Sequence, residues 1–432
     1  MQREQWGSSA GFIMACIGSA VGLGNIWRFP YIVGENGGGA FLVPYVIITI
    51  CFGFAFMMLE FAVGKYYQTS VITSIAKIKS KLKGAGVLIV LVSFAILSYY
   101  LVILGWILAF FIMMISGLTV SFGEFTNSYY PIISFFAVLA FNYVIMIKGI
   151  SRGIENLNKI GILLLVALLV PLTIYGMSLP GSEKGLEYYL TPDFSKLSEP
   201  SIWSTAFGQV FFSLSLGSGI LLTYGSYLKG GLSLLKSSSI IIVSNAMVSF
   251  VAGLMIFSFI FSFGTQPEGG IALVFEILPT VFGSMEYGMI IGIVFFFLLL
   301  IAGLTSSVSL FQVQVSSFED TLRFSKRKSV TIVTILLAVV GTLSALSYSS
   351  FEFQLFETPF LDLMDTYFGT FGLSIASIVL ITIVTWYMDK KKIIEQFNQN
   401  SRIKFPPVLI EITKYVLPGI VVISILFTVF NL

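Results

Sequence analysis

The sequence predicts an all-α polytopic membrane protein. Of its 432 residues, 56% are apolar and only 10% are charged, and the mean hydropathy is +0.96. A soluble chain has about 25% charged residues, so this one has too little charge to cover a soluble surface. Eleven stretches carry at most one charge each and are long enough for a helix to cross a bilayer. We number them segments 1 to 11: 5–34, 36–64, 84–123, 125–147, 160–182, 200–228, 237–267, 287–318, 329–351, 366–388 and 415–432.

The distribution of positive charge predicts the topology. With the N-terminus inside, 20 of the 24 Lys and Arg residues lie in inside segments, and only Lys184 and Lys196 lie in outer loops. The 20 include Lys229 and Arg402. By the positive-inside rule, the N-terminus is cytoplasmic and, after eleven crossings, the C-terminus is extracellular or periplasmic. The basic runs are therefore topology signals, and we expect no nucleic-acid partner.

The reactive side chains argue against an enzyme. The chain has no histidine, and its two cysteines, Cys16 and Cys51, lie in apolar stretches where core packing is the usual role. Few side chains are therefore available to bind a transition metal, and histidine, the commonest general base, is missing. The hydrolase motifs G-x-S-x-G and H-E-x-x-H are absent as well.

Two segments contain sequences that weaken a helix. Residues 18–25 of segment 1 read GSAVGLGN, and residues 213–219 of segment 6 read SLSLGSG. Each Gly lowers helix stability by about 1 kcal/mol relative to Ala. Either stretch alone could equally be a small-residue packing face. However, segments 1 and 6 each begin a five-segment half, and matched interruptions of this kind indicate a midplane binding site in a transporter with inverted repeats.

Longer motifs resemble those of the neurotransmitter:sodium symporter family. They are residues 20–30 (AVGLGNIWRFP), 35–41 (ENGGGAF), 209–215 (QVFFSLS) and 302–307 (AGLTSS). The resemblance covers segments 1–10 in order and implies a 5+5 inverted repeat with broken helices 1 and 6, plus an eleventh transmembrane helix. We predict repeat 1 at residues 1–178, repeat 2 at 179–405 with an outer loop at 179–202, and helix 11 at 406–432. Most relatives have twelve segments.

The resemblance implies two sodium sites and one chloride site. Broken helices offer free carbonyl oxygens, which suit a hard cation. On sequence alone, the Thr305 and Ser306 hydroxyls could instead bond back to their own helix. Chloride-dependent relatives carry serine at the position of Ser249, so we predict chloride as the charge compensating two sodium ions. The implied ligands are Ala20, Asn25, Ser213, Asn245 and the substrate carboxylate for the first sodium; Gly18, Val21, Ala302, Thr305 and Ser306 for the second; and Tyr45, Gln209, Ser213 and Ser249 for chloride.

The resemblance also implies an amino-acid substrate. Gly22 stands where monoamine carriers of the family have Asp, so the substrate would bring its own carboxylate. That carboxylate would meet free N–H groups at a half-helix start and the Tyr100 hydroxyl, with Tyr99 as the alternative register. Ser218 replaces a Phe of one relative, which favours a larger apolar or aromatic amino acid. The expected pocket residues are Ala20, Leu23, Gly24, Ile96, Tyr100, Phe212, Ser213, Ser215, Ser218, Ser306 and Leu310.

Charged residues within the membrane segments need partners, because a lone charge there is costly. By resemblance, Arg28 and Asp365 form an outer gate. The inner gate would comprise Arg3, Trp6, Asp320 and a bracing Tyr227. For Glu60 two alternatives stay open: it accepts from the unwound backbone of segment 6, or it is a helix-end acid reaching the interface.

These features together predict a sodium-coupled amino-acid symporter in the cell membrane. Segments 1, 2, 6 and 7 would rock against segments 3–5 and 8–10, with lipid around them. Two alternatives are an amino-acid sensor that no longer transports and a sodium-independent uniporter or exchanger of the same fold. No charged ring or filter motif favours a channel.

Overall fold

The architecture follows from a computed structural model that describes residues 3–118, 120–228, 230–264, 270–401 and 404–430. Lys229 and Arg402 of the charge count lie outside these residues. Within them, nine helices are long and apolar enough to cross a membrane, and they correspond to the nine segments other than 1 and 6. Their bounds are Gly39–Tyr67, Ser80–Ile115, Tyr130–Ile147, Ile150–Ser178, Leu234–Ser262, Gly288–Leu322, Lys326–Ser347, Phe360–Tyr387 and Val408–Leu426.

Burial separates central helices from peripheral ones. In segment 3, 78% of the 18-residue apolar stretch that qualifies it as a span is buried inside the protein, and in segment 8 the share is 72%. The share falls to 39% in segments 4, 5 and 9 and to 22% in segment 11. Helices that are apolar all round must bury their surface against protein or lipid. Segments 3 and 8 therefore form the centre of the bundle, and segment 11 lies at its edge.

Segment 1 is interrupted where its glycines cluster. The first helix covers Ser9–Ala20, and residues 21 and 22 are not helical. A π-helical turn over Gly24–Arg28 then leads into the helix Phe29–Glu35. The two halves are bent by 48°. Because the break removes intrahelical partners from several carbonyl and N–H groups, those groups can face a ligand.

Segment 6 is interrupted more widely. Helices Pro200–Ser213 and Ile220–Gly225 are separated by residues 214–219. Ser215, Gly217 and Gly219 have φ values of 55°, 75° and 79°. Glycine adopts this left-handed backbone without strain, but serine does so rarely.

The remaining elements are short and lie between the segments or, for the turns at Gly39 and Ser80, at the start of one. They are helices Val71–Ile78, Phe122–Thr126, Ser182–Leu190 and Lys390–Asn398, the pair Leu273–Ile277 and Leu278–Gly283, the 3-10 turns Gly39–Phe41, Ser80–Leu82 and Phe194–Ser198, and a hairpin pairing Gln354–Leu355 with Thr358–Pro359. Two of them fold the predicted outer loop at 179–202. The repeat boundaries themselves stay a prediction.

The observed helices differ from the predicted stretches at several ends, and the largest differences are in segments 5 and 3. Segment 5 begins at Ile150 rather than 160, because the charged Glu155 in its first turns is buried and paired. Its Glu155 accepts from the Gly7 N–H at 2.7 Å and the Ser8 hydroxyl at 2.9 Å. Segment 3 ends at Ile115 rather than 123, since Gly117 reverses the chain with a φ of 67°.

Candidate functional site

A small buried cavity, the inner cavity, lies between the two breaks. Its volume is about 50 Å³, and all eleven residues expected around a substrate line it. Four others also line it: Ser19, Gly22, Ile220 and Leu373. The Ser215 hydroxyl donates to the Ser19 carbonyl at 2.8 Å, which joins the broken stretches of segments 6 and 1. The helix breaks thus form the wall of the cavity.

Tyr100 brings a free hydroxyl to the inner cavity. This hydroxyl is buried and makes no hydrogen bond of ordinary geometry, with the Ser306 hydroxyl and the Leu23 backbone as its polar neighbours. A Cβ added to Gly22 would lie 3.5 Å from the Tyr100 oxygen and would overlap the Ser306 hydroxyl. The neighbouring Tyr99 differs, because its hydroxyl donates to Asp365 at 2.7 Å and it does not line the inner cavity. Gly22 therefore keeps open the space in front of a buried, unpaired donor.

The first predicted cation site brings several oxygens close together. One terminal atom of the Asn245 amide lies 2.8 Å from Asn25 Nδ2 and 3.2 Å from the carbonyl oxygens of both Ala20 and Ser213. If this atom is the oxygen, it faces two other oxygens. If it is the nitrogen, it faces another nitrogen, Asn25 Nδ2. The Asn25 amide cannot be turned to avoid this, because its Oδ1 already accepts from the Gly22 N–H at 3.1 Å. Amide orientation is assigned from such networks, and a cation among the oxygens would satisfy the first arrangement.

The second predicted site joins segments 1 and 8. The Ser306 hydroxyl donates across to the Gly18 carbonyl of segment 1 at 3.2 Å. The Thr305 hydroxyl instead bonds back to its own helix, at 2.9 Å from the Ala302 carbonyl and 3.1 Å from the carbonyl one residue earlier, as the alternative for this residue expected. Val21 follows the last residue of the first half-helix, and its ψ of 93° turns its carbonyl out of helical geometry. These groups are neutral oxygens, which fits a monovalent hard cation better than a transition metal.

The predicted chloride ligands are only partly together. The hydroxyls of Tyr45 and Ser249 are 3.3 Å apart, and Asn245 Nδ2 is 3.3 Å from both the Tyr45 and Ser213 hydroxyls. Gln209 differs from the expectation. Its amide nitrogen donates to the Gly24 carbonyl at 2.9 Å instead of joining the hydroxyls.

The outer gate is not an ion pair here. No ion pair joins Arg28 and Asp365 among the described residues; both line an outer cavity of about 280 Å³. Arg28 donates to Gln209 Oε1 at 3.1 Å, and its guanidinium carbon lies 4.7 Å from the centre of the Phe212 ring. Each partner makes other contacts in this conformation, Asp365 with the Tyr99 hydroxyl, so the pairing stays a prediction. Phe212 lines both cavities and so lies between them.

The inner gate residues are in direct contact. Arg3 Nη1 lies 2.6 Å from Asp320 Oδ2, and its guanidinium carbon lies 4.5 Å from the Tyr227 ring centre. Arg3 Nη2 donates to the Ser226 hydroxyl at 2.6 Å. The backbone N–H of Trp6 donates to the Tyr227 carbonyl at 3.4 Å. This cluster closes the side of the bundle that bears the N-terminus.

Glu60 contacts the break in segment 6. Its Oε1 accepts from the Gly217 N–H at 2.7 Å, and its side chain is buried rather than at the interface. A buried carboxylate needs such a donor, and the N–H needs an acceptor because the helix has ended. Of the two alternatives for Glu60, the geometry therefore agrees with the backbone acceptor.

Sequence reasoning missed three kinds of residue near these sites. Leu373 and Ile220 line the inner cavity, but nothing in an apolar stretch marks them in advance. Asn158 of segment 5 lies against Gly18. The only feature of the sequence that could have indicated this contact was a single Asn just before the predicted start of the segment. Glu155 binds the residues just before the first helix of segment 1, and the basic residues beside it in the sequence gave no indication of that role.

Comparisons with known proteins identify the family. The model of the sodium:neurotransmitter symporter family matches residues 3–130 and 110–432. The chain belongs to this family. Among its members, a sodium-dependent transporter of Methanocaldococcus jannaschii is 35% identical over 94% of this chain and 86% of its own. The sodium-dependent transporter YhdH of Bacillus subtilis is 32% identical over 92% of this chain and 91% of its own.

A solved structure confirms the fold class. The crystal structure of MhsT in complex with L-phenylalanine is 33% identical in sequence, covers 98% of this chain and 99% of that chain, and has a TM-score of 0.89. The predicted family and the broken-helix, all-α fold are therefore confirmed. This symporter is a multi-pass membrane protein from a family of sodium-dependent transporters, and not an enzyme. The orientation of the termini and the roles of individual site residues stay predictions.

Proposed function

We propose that this symporter couples the inward movement of sodium to the uptake of an amino acid by alternating access. One observation carries the proposal: a buried, unpaired Tyr100 hydroxyl faces a cavity between two helix breaks. An unpaired donor is costly in an apolar interior unless a ligand satisfies it. A carboxylate is the ligand that would use both this hydroxyl and the N–H groups freed at the start of a half-helix.

The proposed amino acid is large and apolar or aromatic. The Ser218 hydroxyl donates to the Ser215 carbonyl at 2.6 Å, so this short side chain lies against the backbone. The inner cavity of about 50 Å³ would widen around a large substrate. Ile96, Phe212 and Leu310 supply apolar walls. MhsT was crystallised with L-phenylalanine, which supports the same class of substrate.

Two sodium ions would travel with the substrate. The first would take the oxygens of Ala20, Asn25, Ser213 and Asn245, and the convergence of oxygens around the Asn245 amide supports this. The second would take those of Gly18, Val21, Ala302, Thr305 and Ser306. Because the first ion would also bind the substrate carboxylate, each would favour the binding of the other, which is the physical basis of coupling.

Transport in proteoliposomes tests the proposal. A labelled aromatic amino acid should accumulate above equilibrium when a sodium gradient is imposed and should not accumulate with potassium. Equilibration without a sodium requirement would favour a uniporter or exchanger, and binding without any flux would favour a sensor. Competition by each of the twenty amino acids in sodium buffer then identifies the substrate.

Chloride dependence is part of the proposal. The neutral Ser249 beside the Tyr45 hydroxyl leaves the positive charge of two sodium ions without a nearby carboxylate from segment 7. We expect uptake to fall when gluconate replaces chloride, and the Ser249→Glu variant to transport without chloride. Unchanged uptake by the wild-type protein in gluconate across a pH series would contradict this part alone.

A further inference from the structure

Asn158 carries an oxygen atom without a partner deep inside the protein. The residue lies in segment 5 and is fully buried. Its Nδ2 donates to the Ile154 carbonyl at 2.8 Å, whereas its Oδ1 makes no hydrogen bond. Rotating the amide would put the oxygen against that carbonyl, so the orientation is determined by Ile154. The free atom is therefore an acceptor.

The free oxygen lies between the two helices that form the second predicted sodium site. A Cβ added to Gly18 would overlap Asn158 Oδ1 and lie 3.1 Å from the Thr305 Cβ. One turn later in segment 5, Gly161 packs against the same Thr305, whose Cγ2 would lie 3.0 Å from an added Cβ. Segment 5 thus holds Asn158 Oδ1 beside the residues whose carbonyl and hydroxyl oxygens face this site.

We propose that Asn158 Oδ1 is a further oxygen ligand for the sodium ion of the second site. This inference rests on the proposed function, since it assumes that Gly18, Val21, Ala302, Thr305 and Ser306 hold a cation. A neutral amide oxygen is a suitable ligand for a hard cation. A buried acceptor with no donor nearby is costly, and a cation removes that cost in the sodium-bound state. Segment 5 would thereby sense whether the second site holds sodium.

Asn142 of segment 4 provides a matched control. It is equally buried, and its Nδ2 donates to the Val138 carbonyl four residues earlier at 3.0 Å. Its Oδ1 differs, because it accepts from the Ser307 hydroxyl at 2.8 Å. Asn158→Ala and Asn142→Ala therefore remove the same group, and only the first removes an unpaired oxygen.

Equilibrium binding of radioactive sodium to the purified protein, without amino acid, tests the inference. We expect Asn158→Ala to weaken the affinity of one of the two sodium ions about tenfold, as losses around metal sites typically do. Asn158→Asp, which keeps an oxygen at this place, should restore the affinity. Asn142→Ala should bind sodium as the wild type does.

Thermal unfolding separates this effect from misfolding. In potassium buffer, Asn158→Ala should lose less stability than Asn142→Ala: both lose the bond from Nδ2 to the carbonyl four residues earlier, but only Asn142→Ala also leaves the Ser307 hydroxyl without its acceptor. The additional stabilisation by sodium should be smaller than in the wild type. Wild-type sodium affinity in Asn158→Ala would overturn the inference and leave the proposed function intact. Absence of sodium binding by the wild type would overturn the proposed function itself.

Discussion

The substitution Tyr100→Phe separates a substrate-binding hydroxyl from a structural one. In the free protein the Tyr100 hydroxyl is buried and unpaired, so its removal takes away no hydrogen bond. When the carboxylate of an amino acid binds, the hydroxyl would donate to a charged acceptor. Such a bond contributes about 1.5–3 kcal/mol. Since each 1.4 kcal/mol is a factor of ten, affinity should fall about 10- to 100-fold.

The adjacent Tyr99 provides the control. Its hydroxyl already donates to Asp365, so Tyr99→Phe should lower the unfolding temperature of the ligand-free protein and leave substrate affinity nearly unchanged. Tyr100→Phe should do the reverse: weaker binding and unfolding at or above the wild-type temperature. The assays are saturation binding of labelled substrate in sodium buffer and thermal unfolding in potassium buffer. The reasoning is refuted if Tyr99→Phe loses the affinity and Tyr100→Phe retains it.

Two further substitutions test the break in segment 6 and the inner gate. Glu60→Ala leaves the Gly217 N–H unpaired and should destabilise the protein by about 1–3 kcal/mol, whereas Glu60→Gln keeps an acceptor and should lose less; thermal unfolding compares them. Asp320→Asn weakens a partly exposed ion pair worth about 1 kcal/mol. The buried Cys16 lies near Tyr224, whose carbonyl accepts from the indole N–H of the gate residue Trp6 at 3.1 Å. Cys16 should therefore react with thiol reagents about fivefold faster in this variant, measured in a Cys51→Ser background. Equal reaction rates with and without the Asp320 change would show that the gate does not control this access.

The number and order of the segments were predictable because each is long and apolar. The helix breaks were predictable for a related reason, since clustered glycines lower helix stability wherever they occur. The bound at Ile150 was not predictable. Counting charges excludes Glu155, and only its contacts with Gly7 and Ser8 show that a charged first turn belongs to the helix. Local sequence does not carry information about such distant partners.

The candidate site was predictable mainly from the family motifs, and less from the physical properties of the individual residues. The carbonyl oxygens around Asn245 and the cavity beside Gly22 agree with expectations from the family motifs. The family resemblance assigned Gln209 to the chloride cluster, but a motif does not determine which way a long amide points. Its oxygen accepts from Arg28, and this contact turns its nitrogen toward Gly24. Side-chain direction in a crowded interior depends on all neighbours at once.

The two gates differ in a way that relates the described conformation to transport. Arg3 and Asp320 are 2.6 Å apart, so the inner side is closed. On the other side a cavity separates Arg28 from Asp365, and Arg28 instead contacts Gln209 and the ring of Phe212. Gln209 is a neutral acceptor, so exchanging it for the Asp365 carboxylate would give Arg28 a stronger bond. That exchange would also release the Phe212 ring, which lies between the cavities and contacts bound substrate in the proposed function. Substrate and outer gate would then be coupled through the Phe212 ring.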